Sequence, residues 1–353
     1  MSSRAIVQIA FLDVGQGDTI VVTLPETGEA IVIDCLNGEA VFQYLESQSV
    51  KYLRGLIISH LHLDHFQGAS YFLNNCQKVL HIPCESVIFN WPHVPKSRLG
   101  FLRDADGHSD GSLYPKQARV NFFEGLRSWI VNNSTVCYSL TEQIKNTTLI
   151  GPIAEAVKFL YPIHGHISTL LDLGLNNTSG IMRIQGAGTT ALLTGDIEPA
   201  GWRHLASFCP DLKADVFKFS HHGAWLNADV HEILMAVQPS YVVISVGTEG
   251  IRYHHPNSAV FAELAKQDIT LFCTEATNQC GATHPLIRAS ILNSYSKTLD
   301  HLAIHPQQGC PCAGTVIMEL GETVRVLQPE IRFHQETIIN GHFATAQCAI
   351  DWS

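Results

Sequence analysis

Charge is scarce in this chain. Only 15% of its 353 residues are Asp, Glu, Lys or Arg, while 46% are hydrophobic. Average soluble chains carry about 25% charged residues, so this composition suits a substantial buried core and excludes disorder as the main state. Basic excess is missing too: 22 Lys and Arg stand against 32 Asp and Glu, a formal charge of −10. Such a chain has no global attraction for nucleic acid or an anionic membrane, and a polyanion would need a local patch. No stretch approaches the ~18 uncharged apolar residues of a membrane span, so no membrane partner is expected. The opening MSSRAIVQIAFLDVGQGD meets Asp13 too early for a secretory signal and lacks a small-residue cleavage site, which makes the expected location cytoplasmic. Ten cysteines in 353 residues are too sparse for a disulfide scaffold and read as buried thiols or metal ligands. Histidine, by contrast, is plentiful at 19.

Short β-rich runs separated by turn signals fill the first sixty residues: Ala5 to Phe11, Thr19 to Leu24, Ala30 to Asp34 and Gly55 to Ser59. Between the third and fourth, GEAVFQYLES places Val41, Phe42 and Leu45 on one helical face. Further strands are expected at Ile181 to Ile184, Thr190 to Thr194, Asp215 to Phe219 and Tyr241 to Val246, so the fold class is mixed α/β. From about Glu85 to Thr147 the chain resembles an insertion rather than sheet. Trp91, Phe101, Tyr114, Phe122, Phe123 and Trp129 there mix with Lys96, Arg98, Arg103, Lys116, Arg119 and Arg127. That mix suits either a substrate lid with stacking surfaces or a helical hairpin with a solvated face. The tail from Cys273 concentrates five cysteines and carries two more expected strands, Gly314 to Leu320 and Thr323 to Leu327, which should complete the second half.

His60-Leu61-His62-Leu63-Asp64-His65 follows the fourth run and puts four metal ligands within six residues at a strand-to-helix junction. Residues two apart in extended chain share a face, so His60 and His62 can hold one ion while Asp64 and His65, as the chain turns, face a second. Imidazole and carboxylate suit zinc, with manganese or iron as alternatives; two such ions ~3.5–4 Å apart form a clamp for hydrolysis of phosphate esters and related bonds.

That motif resembles the signature of the metallo-β-lactamase superfamily, over roughly residues 5 to 275. The resemblance implies an αβ/βα four-layer sandwich: a hydrolase domain over 1–275, the insertion at about 85–147, and a Cys-rich completion and extension of the same domain over 276–353. It implies metal ligands His60, His62, Asp64, His65, Asp196 from ALLTGD as the bridge, and His222 from KFSHHG, with His221 the less favoured neighbour. Asp34, ending AIVID, resembles the first motif, an acid that orients loop and ligands. FLDVGQGD, with LLTGDIE and SHHG, resembles more narrowly the hydrolase domain of the ComEC competence proteins, free-standing here; phosphorylcholine esterases look similar. In that frame Asp18 sits near the metals or substrate, or in a structural turn, and His255 of YHHP binds metal or the substrate's phosphate.

One departure stands out. Asn176-Asn177-Thr178-Ser179 has asparagine where the superfamily usually has a metal-binding histidine; His164 or His166 could substitute, or are ordinary loop histidines. The implied mechanism is attack by a hydroxide bridging two divalent metals, with Asp64, His222 and His255 as catalytic residues. A third, structural zinc on Cys280, Cys310 and Cys312, with Cys273 or His284, is a further expectation. The resemblance implies a phosphodiesterase, above all a DNA nuclease, with nucleic acid as partner and protein partners in DNA processing or defence. Phosphate binding would then lean on the metals, Lys218, Arg252 and the inserted cations. The alternatives are hydrolysis of a small phosphodiester, a thioester or a lactone on the same scaffold, or a non-enzymatic role for the metal cluster.

Overall fold

A computed structural model describes residues 5–89, 125, 129, 132, 136–138, 140, 149–162, 166–225, 227–248, 255–280, 285–296, 309–344 and 346. It opens as an antiparallel meander of β1 (Val7–Phe11), β2 (Thr19–Leu24) and β3 (Glu29–Cys35). Helix α1 (Gly38–Ser47) then carries the chain back, so that β4 (Tyr52–Ile57) runs parallel to β3. Asn37 starts that helix: its Oδ1 accepts from the N–H groups of Glu39 and Ala40, each at 3.1 Å, satisfying donors that a helix start leaves unpaired. Val41, Tyr44 and Leu45 are buried, whereas Phe42, expected on that face, is only half-buried. After α2 (Leu63–Phe66) and α3 (Ala69–Lys78) come β5 (Ser86–Ile88) and β6 (Val136–Tyr138), both parallel additions. The stretch from Glu85 to Thr147 thus contributes strands, not only an insertion. Trp129 from it is buried; the other aromatic and basic residues singled out there lie outside the described residues.

The second sheet comprises β7 (Val157–Tyr161), β8 (Ile181–Gln185), β9 (Thr190–Leu193), β10 (Val216–Lys218), β11 (Tyr241–Ile244) and β12 (Thr270–Cys273). Strands β9 to β12 are parallel, joined by α4 (Pro199–Phe208), α5 (Asn227–Val237) and α6 (Ser258–Leu264). The tail strands β13 (Val316–Leu320) and β14 (Val324–Gln328) form where expected but join the first sheet, not the second: β13 lies antiparallel to β1, with Phe11 opposite Val316 and Val7 opposite Leu320. That register puts Val7, Ile9 and Phe11 on the same buried face as Val316, Met318 and Leu320, which a one-residue slip would destroy.

Alternation along each strand divides the core. Ile20, Val22, Ile31 and Ile33 face a central layer shared with Met182, Ile184, Ala191, Leu193, Val216 and Val243 of the second sheet. Their neighbours Val21, Ala30 and Val32 pack outward against α1 and α3; Leu192, Phe217, Val242 and Ile244 pack against α4, α5 and α6. The result is helix, sheet, sheet, helix, the expected sandwich. Parallel strands deliver their carboxyl ends to one edge, where such sheets place their ligand sites. Among the described residues no helix is long and apolar enough to cross a membrane.

Candidate metal centre

Asp34 sits one residue before the end of β3 with a left-handed backbone, φ 57°, which turns its carboxylate toward the loop after β4. Its Oδ1 accepts from the Ser59 N–H at 2.6 Å, and its Oδ2 lies 2.7 Å from both Ser59 Oγ and His65 Nδ1. All three residues are buried. In the chain that follows, His60 Nε2 and His62 Nδ1 lie 3.0 Å apart. Asp18 arrives from the β1–β2 loop, where its N–H donates to the Asp64 carbonyl at 3.2 Å.

Four residues converge. The ligand atoms of Asp64, His65, Asp196 and His222 all lie within 4.8 Å of one another, and those of Asp18, Asp34 and His65 form a second such group. Asp196 Oδ2 is 3.2 Å from His65 Nε2 and 3.3 Å from His222 Nε2, with Asp64 Oδ2 3.5 Å from the latter. These contacts lack hydrogen-bond geometry: both Nε2 atoms are buried with no hydrogen-bond partner among the described residues. The opposite nitrogens are engaged, His65 Nδ1 by Asp34 and His222 Nδ1 by the Ser245 carbonyl at 2.8 Å. A carbonyl can only accept, so His222 carries a proton on Nδ1, which leaves Nε2, facing the acids, as the nitrogen that would bind a metal ion in place of a second proton. Two imidazole nitrogens and two carboxylates fit zinc, manganese or iron.

The electrostatics say the same. Burial opposes the imidazolium form of His222, yet the Asp196 charge outweighs it and pushes the group up to about 10. His65 also lies well above the ordinary histidine range, because Asp196, Asp34 and Asp64 overcome its burial. Burial raises the Asp196 carboxyl, but His222 and His65 hold it well below the usual range. His60 is driven down by burial and by His65 and His62. These acids demand positive charge, which protons or a metal ion can supply in competition.

His221 and His222 form a left-handed turn, φ 48° and 50°, continued by Gly223 at 78°. A left-handed backbone is costly for non-glycine residues, of order 1–3 kcal/mol each, and clusters at functional sites. The turn aims His222 inward and leaves His221 26% exposed, its Nδ1 3.8 Å from Glu198 Oε1. His255, half-buried, meets the His221 ring edge-on with centroids 5.5 Å apart and belongs to neither metal-sized group. Asn177 is a structural hub: Oδ1 accepts from the Glu198 and Gly201 N–H groups at 3.3 and 2.8 Å, and Nδ2 donates to the Leu173 carbonyl and to Glu198 Oε2 at 2.8 and 3.1 Å. The group this segment offers to His60 is Ser179 Oγ, 3.4 Å from Nδ1, which also accepts from the Asp196 N–H at 3.0 Å. His166 pairs with His204 at 3.2 Å; His164, Arg252 and His284 lie outside the described residues.

Lys218, expected to meet substrate phosphate, is fully buried. Its Nζ pairs with Asp18 Oδ2, donates to the Gly195 carbonyl at 3.0 Å and lies 3.6 Å from Asp196 Oδ1. In the tail, Cys310 and Cys312 are buried and Cys280 half-buried. Cys312 Sγ is 3.5 Å from His334 Nε2, and among the described residues no three ligand atoms of the cysteines and His334 fall within 4.8 Å. Sequence reasoning does not single out Ser59, Ser179 or Glu198. Adjacency to HxHxDH and to LLTGD is the available signal for Ser59 and Glu198; Ser179 has only its place in the asparagine segment.

Residues 12–123 match the model of the metallo-beta-lactamase superfamily, and the helix, sheet, sheet, helix order of layers is the sandwich that the sequence resemblance implied. The chain is 25% identical over 287 residues to ComE operon protein 3 of Bacillus subtilis (strain 168), covering 76% of this chain and 32% of that protein. It therefore spans about a third of the length of this curated relative. Similar solved structures include human tRNase Z, short form, at 15% identity and TM-score 0.33, covering 67% of this chain and 91% of that one. A diphosphatase of the PhnP family shows 12% identity and TM-score 0.36, covering 67% and 85%.

Proposed function

We propose that this chain is a binuclear metal-dependent phosphodiesterase, with DNA as the favoured substrate class. The observation that supports this best is the convergence of two inward ring nitrogens, on His65 and His222, with Asp64 and Asp196. These four would hold one divalent ion; His60 and His62, sharing Asp196, would hold another. Bound there, zinc or manganese would polarise a phosphoryl oxygen and make water acidic enough to attack at neutral pH. Around that chemistry the chain's own groups have separate tasks. Asp34 fixes the His65 tautomer, Ser245 that of His222, and Asp64, 35% exposed at its side chain, presents a carboxylate edge toward the opening. His221 and His255 supply N–H donors at the lip for phosphate oxygens. The preference for DNA rests on the FLDVGQGD, LLTGDIE and SHHG resemblance.

Digestion of end-labelled single- and double-stranded DNA by zinc- or manganese-loaded protein tests the reading, with His62→Ala and Asp64→Ala as controls. Cleavage absent from both variants is expected. A second reading, a small phosphodiester substrate, gains from the −10 charge and from the burial of Lys218, which removes that cation from a polyanion's reach. Intact DNA alongside hydrolysis of bis-p-nitrophenyl phosphate would favour that second reading.

A further inference from the structure

Lys218 is a charge with no route to solvent, set among acids that a metal centre would use. β10 lies between β9 and β11, so the end of this central strand carries its side chain beneath the Asp196 loop; the Lys218 carbonyl accepts from Thr194 Oγ1 at 2.7 Å. The ammonium pairs with Asp18 Oδ2 and donates to the Gly195 carbonyl, and it lies 3.6 Å from Asp196 Oδ1, a buried oxygen with no hydrogen-bond partner among the described residues. The two oxygens of Asp196 thereby face different groups: Oδ1 faces Lys218 at 3.6 Å, whereas Oδ2 faces the ring nitrogens of His65 and His222. The backbone that carries the carboxylate is anchored as well, since the Asp196 N–H donates to Ser179 Oγ at 3.0 Å.

We propose that Lys218 is a positioning residue, a built-in cation that pairs with Asp18, attracts Oδ1 of Asp196 by charge and so leaves Oδ2 as the oxygen that would bridge two metal ions. This rests on the metal-centre reading above. With Lys218 in place Asp196 cannot rotate to chelate one ion through both oxygens, and Asp18 is kept from becoming a ligand. Without it, Asp196 closes on one ion and abandons the other. The sign of the effect is diagnostic. A positive charge that merely stands near metals repels them, so its removal would tighten both ions; removal of a positioning residue loosens one.

The test uses Lys218→Met and the double variant Lys218→Met/Asp18→Asn, which removes both buried charges together and is the better candidate to fold. Folding is checked by circular dichroism and melting in chelator. Zinc is counted after desalting, and manganese titrations are followed by calorimetry and electron paramagnetic resonance. Wild type is expected to hold two ions with a spin-coupled manganese pair. The folded variants are expected to hold one, with an isolated six-line manganese signal and at least tenfold weaker binding of the second ion. Two ions at wild-type affinity, or both bound more tightly, in the double variant would overturn the proposal while leaving the metal centre intact. A wild type that binds neither zinc nor manganese would overturn the metal-centre reading, and this inference with it.

Discussion

His65 Nδ1 lies 2.7 Å from Oδ2 of Asp34, so a residue on β3 decides which nitrogen of a residue on α2 faces the centre. An asparagine at 34 keeps the size but presents an amide N–H on one side. Ser59 donates to both oxygens of the native carboxylate, so the amide must set a donor against a donor somewhere in the cluster. Asp34→Asn should weaken zinc binding about 10–100-fold, the usual range when the partner of a metal-binding histidine is lost. Competition with a fluorescent chelator measures it; unchanged affinity would remove Asp34 from this role.

Gly17 holds φ +146°, and a Cβ there would stand 2.5 Å from the Asp64 carbonyl and 2.7 Å from Leu36 Cδ2. Backbone cannot yield as a flexible side chain does. Gly17→Ala should therefore displace the loop carrying Asp18 and the turn carrying Asp64, lowering stability by roughly 1–3 kcal/mol and metal affinity with it. Urea unfolding and metal titration of the same preparation check both.

Much of this arrangement is legible in the amino-acid order alone. Period-two apolar runs locate the strands, and HxHxDH, TGD and SHHG mark three of the strand ends that meet. Geometry between distant segments is not legible in that way. Lys218 reads as a residue that supports the ligands or meets substrate phosphate, and only the sheet order shows that it lies buried in the middle. Asn177 reads as a ligand position emptied of its histidine, whereas its amide closes backbone donors of a helix that begins twenty-odd residues later. The sheet joined by β13 and β14 cannot be read either, since alternation defines a face but not a partner.

The Asn177 amide makes four contacts with the start of α4 and with the Leu173 carbonyl. Asn177→Ala should orphan buried backbone N–H groups at about 1–3 kcal/mol each and lower the melting temperature of metal-free protein. Because the residue is not read as a ligand, the number of bound ions should stay at the wild-type value. A lost ion with an unchanged melting temperature would reverse that assignment.

His334 is buried and its pKa is pushed down to about 4 by burial. In the unfolded chain it titrates near 6.5, so between these values the unfolded state binds the extra proton. The contribution of His334 should be constant above about pH 6.5 and fall as pH drops from there toward about 4, by roughly 3 kcal/mol in all. His334→Gln should flatten that part of the pH profile. Urea titrations in chelator, compared between the two proteins from pH 7.5 to 4, give the answer.

The pairing of β1 with β13 joins residues 7–11 to residues 316–320, which has a consequence for synthesis. While the ribosome is still making the chain, β1 has its partner β2 on one side and nothing on the other. That bare, apolar edge persists until residues 316–320 have been made. An unpaired edge is a template for other chains, so the nascent protein is open to edge-to-edge pairing throughout that interval. Any shortened version ending near residue 275 would keep that edge permanently.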